Sequence, residues 1–269
     1  MKDSYELIDS GNQKKLEKFG SFFVERPCSQ AVWEPKLAKW EKIDLSFSRE
    51  NGKGWTFYSE VPEKWETALA GIRFRVSPTG FGHMGIFPEH RFLWEEMEKK
   101  IEKETRVLNL FAYSGAATLA AARKGAEVCH VDASKPMVEW ARNNARLNDL
   151  QKAPVRWIVD DVLQFLKREK RRDRKYDGII LDPPSFGRGS KGQVFKIERD
   201  IHELLDLCLS LLSSQPKFFI FSCHTPGFTP YVCKNLLEGK NLSSAEAGEL
   251  VIPSENSYWL PSGVYGKWK

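Results

Sequence analysis

The sequence predicts an α/β protein: a seven-stranded, mostly parallel sheet with helices on both faces, preceded by a small β-rich region. Three observations predict it. From Arg106 to about residue 240, apolar strand-like runs alternate with helix-like segments, and strands joined through helices need right-handed crossovers and hence a parallel sheet. After that, two strand-like runs follow with no helix between them, which reads as an antiparallel hairpin at one edge. Before Gly85 the rhythm is different, with short alternating segments broken by Gly, Pro and Asn. The change of pattern divides the chain into a small β-rich domain, residues 1–84, and a larger α/β domain, residues 85–269.

In the first region FGSFFVERP, IDLSFSRENGKGWTFYS and GIRFRVSPTGFGH alternate aromatic or β-branched residues with polar ones. Leu45 and Phe47, then Trp55 and Phe57, flank Asn51-Gly52, a hairpin signal. From Pro88 to Glu104 the residues Phe92, Leu93, Met97 and Ile101 fall at helical spacing, with Glu89 in the first turn where it suits the helix dipole. RVLNLF is the first strand of the larger region, and GAATLAAARKG is a helix closed by Gly125. EVCHVD, ending at Asp132, is the second strand, followed by a helix that Ser134 can cap, with Pro136 in its first turn. PVRWIVDD and VLQFLKREKR make the third pair. YDGIILDPP is a fourth strand, and the helix after it carries Ile201, Leu204, Leu205, Cys208, Leu211 and Leu212 on one face. KFFIFSC is the fifth strand, with a helix around Pro230 to Glu238. GELVIPS and SYWLPSGVYGKWK supply the last two strands.

Composition narrows the possible functions. The 269 residues are 41% apolar, enough for one sizeable core. No apolar run approaches the roughly 20 residues that cross a bilayer, and the first residues are polar, so a cytoplasmic protein without membrane contact is expected. The five cysteines are scattered with no CxxC pair, which suggests neither disulfides nor zinc. His83, His90, His130 and His202 show no metal-ligand spacing, and no metal is expected. The formal charge is +5, mild but of the sign that meets phosphates. Two basic stretches stand out: KREKRRDRK, read as a solvated helix end, and RGSKG, read as a glycine-rich loop.

Ligands of such sheets bind beyond the carboxyl ends of the strands, and here nearly every strand ends in chemistry. NLFAYSG ends the first strand with a single glycine, unlike the GxGxxG of a dinucleotide loop, which disfavours a dehydrogenase. That turn suits S-adenosylmethionine, with Gly115 letting the backbone come close while Asn109, Phe111, Tyr113 and Ser114 shape the pocket. Asp132, followed by Ala133, suits the two ribose hydroxyls. Asp161, with the backbone N–H of Val162, suits an adenine edge, and Asp160 is the alternative. A helix N-cap explains Asp161 equally well. In DPPSF, Asp182, Pro183, Pro184 and Phe186 form a rigid loop able to hold a planar base or amide, with Asp182 and Pro183 expected to border the cofactor and Pro184 and Phe186 the substrate. Arg188 and Lys191 beside it are candidates for contact with RNA phosphates.

Taken together, NLFAYSG, VDASKPMVEWARNNARLN, DDVLQFL, YDGIILDPPSFGRG and FIFSC resemble the successive motifs of the bacterial 23S ribosomal RNA large-subunit methyltransferases that make 5-methylcytosine or 7-methylguanine. The resemblance covers about Gly80 to Pro226. It implies a Rossmann-like class I methyltransferase fold, S-adenosylmethionine as cofactor, and ribosomal RNA or an assembly intermediate as partner. It further implies that Phe87, Glu89 and Arg91 of GIFPEHR help to hold the cofactor. The chain departs from the family's pattern in leaving no room for the extra N-terminal RNA-binding domain of longer members and in carrying Ser185 where Lys is common.

Cys223 bears on the target atom. Enzymes that methylate cytosine C5 first add a thiolate to C6, and members of the family that methylate guanine carry Asn where Cys223 stands. The resemblance therefore favours 5-methylcytosine formation, with Cys223 as nucleophile and Asp182 holding the base. The alternatives are methylation of a base nitrogen or a glutamine amide, and an RNA-binding protein without turnover. Since neighbours on a strand point to opposite faces, His224 is not expected to share a site with Cys223.

Overall fold

The structure, a computed structural model, describes residues 2–189 and 192–269. It divides into two compact units, one of Met1–Arg91 with Val251–Ser262 and one of Phe92–Leu250 with Gly263–Lys269. Nothing in the sequence pattern marks the short second segment of the first unit.

In the first unit β1 (Tyr5–Gly11), β2 (Lys14–Phe19), β3 (Phe22–Pro27), β4 (Leu45–Ser48) and β5 (Gly54–Phe57) form one sheet in that order. β6 (Trp65–Leu69) and β7 (Ile72–Val76) form a separate hairpin. The hairpin read at Asn51-Gly52 is present, with Phe47 opposite Trp55 and a 3₁₀ turn at Glu50–Gly52. Leu7, Phe19, Val24, Leu45 and Phe74 are all but fully buried.

Two buried carboxylates tie this unit together. Glu17, fully buried, accepts from Tyr5 Oη at 2.9 Å and from Arg26 Nε and Nη2 at 2.8 and 2.6 Å. The second, Asp9, follows a bulge in β1 between Leu7 and Asp9. Its side chain accepts from the backbone of Ser10, Lys36 and Leu37, from Trp40 Nε1, and from the hydroxyl of Ser257, 248 residues away in sequence. Asp9 thereby pins residues 36–40 and the Val251–Ser262 segment to β1.

The helix expected over residues 88–104 is shorter. A 3₁₀ turn at Pro88–His90 leads into α1 (Arg91–Glu98), and Glu104 takes a left-handed φ of 67°. The backbone N–H of Glu104 donates to the carbonyl of Gly125, which turns the chain into the next strand and leaves no room for a further helical turn.

The second unit continues with β8 (Arg106–Leu110), α2 (Ala116–Arg123), β9 (Glu127–Asp132), α3 (Lys135–Leu147), β10 (Val155–Val159), α4 (Val162–Arg171) and β11 (Gly178–Leu181). After it come β12 (Phe186–Arg188), β13 (Val194–Lys196), α5 (Ile197–Ser210), β14 (Phe218–Cys223), α6 (Pro230–Glu238), β15 (Glu246–Ile252) and β16 (Leu260–Trp268). Seven of these strands form one sheet in the order β10-β9-β8-β11-β14-β16-β15, the class I methyltransferase arrangement. β8 to β11 and β14 are parallel, while β16 runs antiparallel to β14. Arg188, the first residue of the basic stretch expected to be a loop, ends β12, which pairs with β13. Among the described residues no helix is long and apolar enough to cross a membrane.

Alternation sorts the strands' side chains between two faces. Leu108, Val131, Ile179 and Phe221 pack with α4, α5 and α6 in one apolar cluster. Asn109, His130 and Ile180 sit in register with one another on the opposite face.

Candidate active site at the strand ends

β8 ends in a turn whose backbone is unusual at three places: Phe111, Tyr113 and Gly115 have φ of 54°, 49° and 89°. Left-handed conformations at bulky residues are sparsely populated and persist only where the surroundings hold them. Here the hold is visible. The N–H of Ala112 donates to Val131 O, Tyr113 N donates to Asp132 Oδ2 at 2.9 Å, and Asn144 Nδ2 donates to Ser114 O at 3.0 Å. Gly115 is required for space as well as for its φ, because a Cβ there would lie 2.8 Å from that of Ala141.

Below the turn, Asn109 Nδ2 donates to Thr118 Oγ1 at 3.0 Å, and Thr118 meets His130 Nδ1 at 2.9 Å. Burial pushes the His130 pKa down to about 3, so the ring is neutral. Asn109 therefore braces the turn from inside.

Asp132 ends β9 half-buried. Its other oxygen accepts from Ser134 N at 2.8 Å. Burial raises its pKa against the pull of these two N–H donors. Each oxygen keeps a second lone pair, so two further donors can be accepted side by side. That is the pattern a ribose diol presents, and it is an observation of this chain that fits the cofactor. Ala133 lies next to it, also half-buried.

At the end of β10 the two acids differ. Asp161 caps α4, accepting from Gln164 N at 2.9 Å through Oδ1; this is the N-cap role anticipated as its alternative. Asp160 forms an ion pair with Arg168. Val162 is buried as the first residue of α4.

Asp182 follows β11. Ser222 Oγ donates to its Oδ1 at 2.8 Å, and His224 Nε2 stands 3.6 Å from the same oxygen. Gly263 leaves room for the imidazole, since a Cβ there would come within 2.7 Å of His224 Nδ1. Pro183 is buried, while Pro184 and Phe186 are exposed. The Arg188 guanidinium lies 5.8 Å from the Phe186 ring centroid. Ser185 Oγ and Thr225 Oγ1, 2.7 Å apart, tie the loop to the end of β14. Lys191 lies outside the described residues.

Cys223 turns the other way. It is 1% exposed and belongs to the apolar cluster with Cys233, Leu237 and Val264. Burial raises its thiol pKa, although the Thr225 N–H reaches the sulfur at 3.4 Å. Ser222 and His224 thus meet Asp182, while Cys223 between them packs against α6. His224 does not share a side with Cys223, as the alternation of the strand predicts; the same alternation puts it with Ser222, at Asp182.

Phe87, Glu89 and Arg91 belong to the first unit. Phe87 stacks edge-on to His83 at 5.4 Å, Glu89 is buried, and Arg91 Nη1 donates to Asp3 Oδ2 at 2.8 Å.

Residues 31–223 match the family model described as S-adenosylmethionine-dependent methyltransferase. The ribosomal RNA large subunit methyltransferase K/L of Shewanella sp. (strain ANA-3) is 36% identical over 173 residues, 62% of this chain and 24% of the relative. The chain thus spans about a quarter of the length of that relative. Among solved structures, a SAM-dependent methyltransferase from Agrobacterium tumefaciens superposes with a TM-score of 0.94 at 36% identity, over 100% of this chain and 91% of the other. A proposed SAM-dependent methyltransferase from Streptococcus mutans superposes with a TM-score of 0.77 at 22% identity, over 99% and 75%, a likeness of fold.

Proposed function

The chain belongs to the S-adenosylmethionine-dependent methyltransferase family, and on that premise we propose that it methylates a base of structured RNA, with large-subunit ribosomal RNA as the preferred target. The catalytic part in this reading is residues 85–269, of which residues up to Arg91 and Val251–Ser262 pack in the unit of the β-rich residues 1–84. The observation that carries the reading is Asp182 with its two attendants. A carboxylate held by Ser222, next to an imidazole and followed by a buried proline and an exposed aromatic ring, suits a flat group with an N–H edge. The similarity to the K/L protein supports ribosomal RNA as the source of that group.

The chain's residues divide the work. The turn at residues 111–115 and Asp132 hold the cofactor's amino acid and ribose, and Asp161 or Asp160 borders its adenine. When bound, the cofactor supplies a methyl group on a positively charged sulfur. Phe186 stacks on the base and Arg188 meets a neighbouring phosphate. Asp182 accepts a hydrogen bond from the base's amine or ring N–H, raising electron density on the attacking atom. His224, beside the same carboxylate oxygen, is placed to take up a released proton.

Burial of Cys223 on the opposite face from Ser222 favours a nitrogen as the methylated atom. Formation of 5-methylcytosine is the second reading, favoured by the Thr225 N–H that reaches the Cys223 sulfur at 3.4 Å and pulls against the rise of its pKa. The Cys223→Ala variant separates the two. Turnover within about threefold of the unsubstituted protein supports a nitrogen target, while a loss beyond about 100-fold supports the thiolate adduct. The wider proposal is tested by mapping methylated bases in ribosomal RNA from cells with and without the gene. One modification missing from the deficient cells is the expected result, and identical maps would overturn the reading.

A further inference from the structure

At the edge of the sheet away from the strand ends, a cavity of about 440 Å³ opens where β8, β9 and β10 begin. Its walls carry Arg106 from the start of β8, Arg156 from β10, and Arg174 and Lys175 from the turn after α4; Cys129 and Tyr176 line it too. The run KREKRRDRK, which by sequence alone is a solvated helix end, is thus joined by two arginines more than ten residues upstream of it.

The cations are positioned yet weakly neutralised. Glu169, fully buried, accepts from Tyr176 Oη at 2.6 Å and reaches Arg156 and Arg172 only at 3.5 and 3.3 Å. Arg106 meets Asp177 at 3.4 Å, and Lys175 meets Asp173 at 3.5 Å. The arginine heads of these long pairs are 47–60% exposed, where such pairs contribute little, so they remain available to a stronger anion; Lys175 Nζ in addition donates to Ser210 O at 2.8 Å. Arg171 and Arg174 are exposed and make no ion pair among the described residues. Glu127 also lines the cavity, so a single free carboxylate ligand would be poorly selected. A row of phosphates passing over several guanidinium groups is favoured over it.

We propose that this cavity and the run beside it bind the phosphate backbone of the substrate RNA at a second place, away from the strand ends. The inference rests on the reading that the substrate is RNA, and it narrows that substrate. The strands between the two places are about five residues long, which at about 3.3 Å per residue separates them by roughly 16 Å. An RNA that reaches both must be folded or extended well beyond one nucleotide.

The test uses the full chain and a transcribed domain of large-subunit ribosomal RNA, with binding measured at several salt concentrations. The double variant Arg171→Glu/Arg174→Glu is expected to weaken RNA binding about tenfold and to reduce the salt slope by about two, as for lost phosphate contacts. Affinity for S-adenosylmethionine, the melting temperature and turnover at saturating RNA are expected to stay unchanged. Lys64→Glu, an exposed reversal in the first unit, serves as control. If the double variant binds with unchanged affinity and slope while the unsubstituted protein methylates the RNA, the second contact is overturned and the proposed function stands. An equal loss in Lys64→Glu overturns it as well, since net charge alone would then account for the effect. If the unsubstituted chain binds no RNA, both fail.

Discussion

The first unit and the strand ends of the second both depend on carboxylates, and they treat them in opposite ways. Glu17 and Asp9 are fully buried and surrounded by donors: arginine and tyrosine on one, two indole-bearing and hydroxyl-bearing loops on the other. Asp132 and Asp182 are only half-buried: Asp132 accepts from the backbone N–H groups of Tyr113 and Ser134, and Asp182 accepts from Ser222 beside His224. A buried charge must be answered inside the fold, because leaving it unpaired costs several kcal/mol. An acid that meets a ligand must be answered only in part. The difference separates acids that build the molecule from acids proposed to act.

The largest expected effect belongs to the acting set. Asp182→Asn keeps the size and the Ser222 hydrogen bond but removes the charge, and kcat is expected to fall by about 10²- to 10⁴-fold with the melting temperature nearly unchanged. A stability loss as large as the activity loss would break the comparison. Glu17→Gln is the converse. It leaves Arg26 buried without its counter-charge and is expected to destabilise the chain by about 3–5 kcal/mol in urea unfolding. A fully stable Glu17→Gln protein would show that the cluster is dispensable.

Asp132→Asn sharpens the contrast, because function and stability should move apart. Loss of one charged acceptor is expected to weaken S-adenosylmethionine binding by about 10- to 100-fold in calorimetry. Stability at neutral pH should fall by no more than about 1 kcal/mol, because the amide loses one of the two backbone N–H bonds but also the cost of a half-buried charge. Burial raises the Asp132 pKa, so its ionised form costs stability as pH rises past the ordinary 3.8, and the amide removes that cost. Asp161→Ala is a smaller change. Removing the N-cap of α4 is expected to cost about 1 kcal/mol, and a much larger loss of cofactor affinity would assign Asp161 to the adenine as well.

Acid titration provides the finest test. Burial would raise Glu17, but Arg26 and Lys15 hold its pKa below 4.5. Asp9 is likewise held below 3.8, against its burial, by Ser257 and Trp40. A depressed carboxylate stabilises above its unfolded pKa, and the benefit is lost as pH falls through the folded value. The melting temperature should therefore drop below about pH 4.5, and the Glu17→Gln protein should show a shallower drop.

The strand and helix rhythm was legible because each β-α unit of a parallel sheet repeats an apolar run and an amphipathic segment. The places of Asp132 at the end of β9 and Asp182 just after β11 were legible for a related reason, since the same rhythm marks where each strand stops. Three things were not. The pairing of β12 with β13 rests on three residues each side, too short for any periodicity. The Val251–Ser262 segment joins the first unit through Asp9 and Ser257, a long-range hydrogen bond that leaves no local pattern. The facing of β14 was open to either phase: FSCH offers polar groups at Ser222, Cys223 and His224, and only the position of Asp182 decides which pair meets it.

The order β14-β16-β15 has a consequence for how the sheet comes together. β15 is translated before β16, yet among the described residues it joins the sheet next to β16 alone. Until β16 slides in beside β14, with Cys223 opposite Val264 and Phe219 opposite Trp268, two unpaired edges stand open at once. Contacts across that distance in sequence form late and slowly, so the interval before β16 docks is when the nascent protein is most exposed to strand-to-strand aggregation.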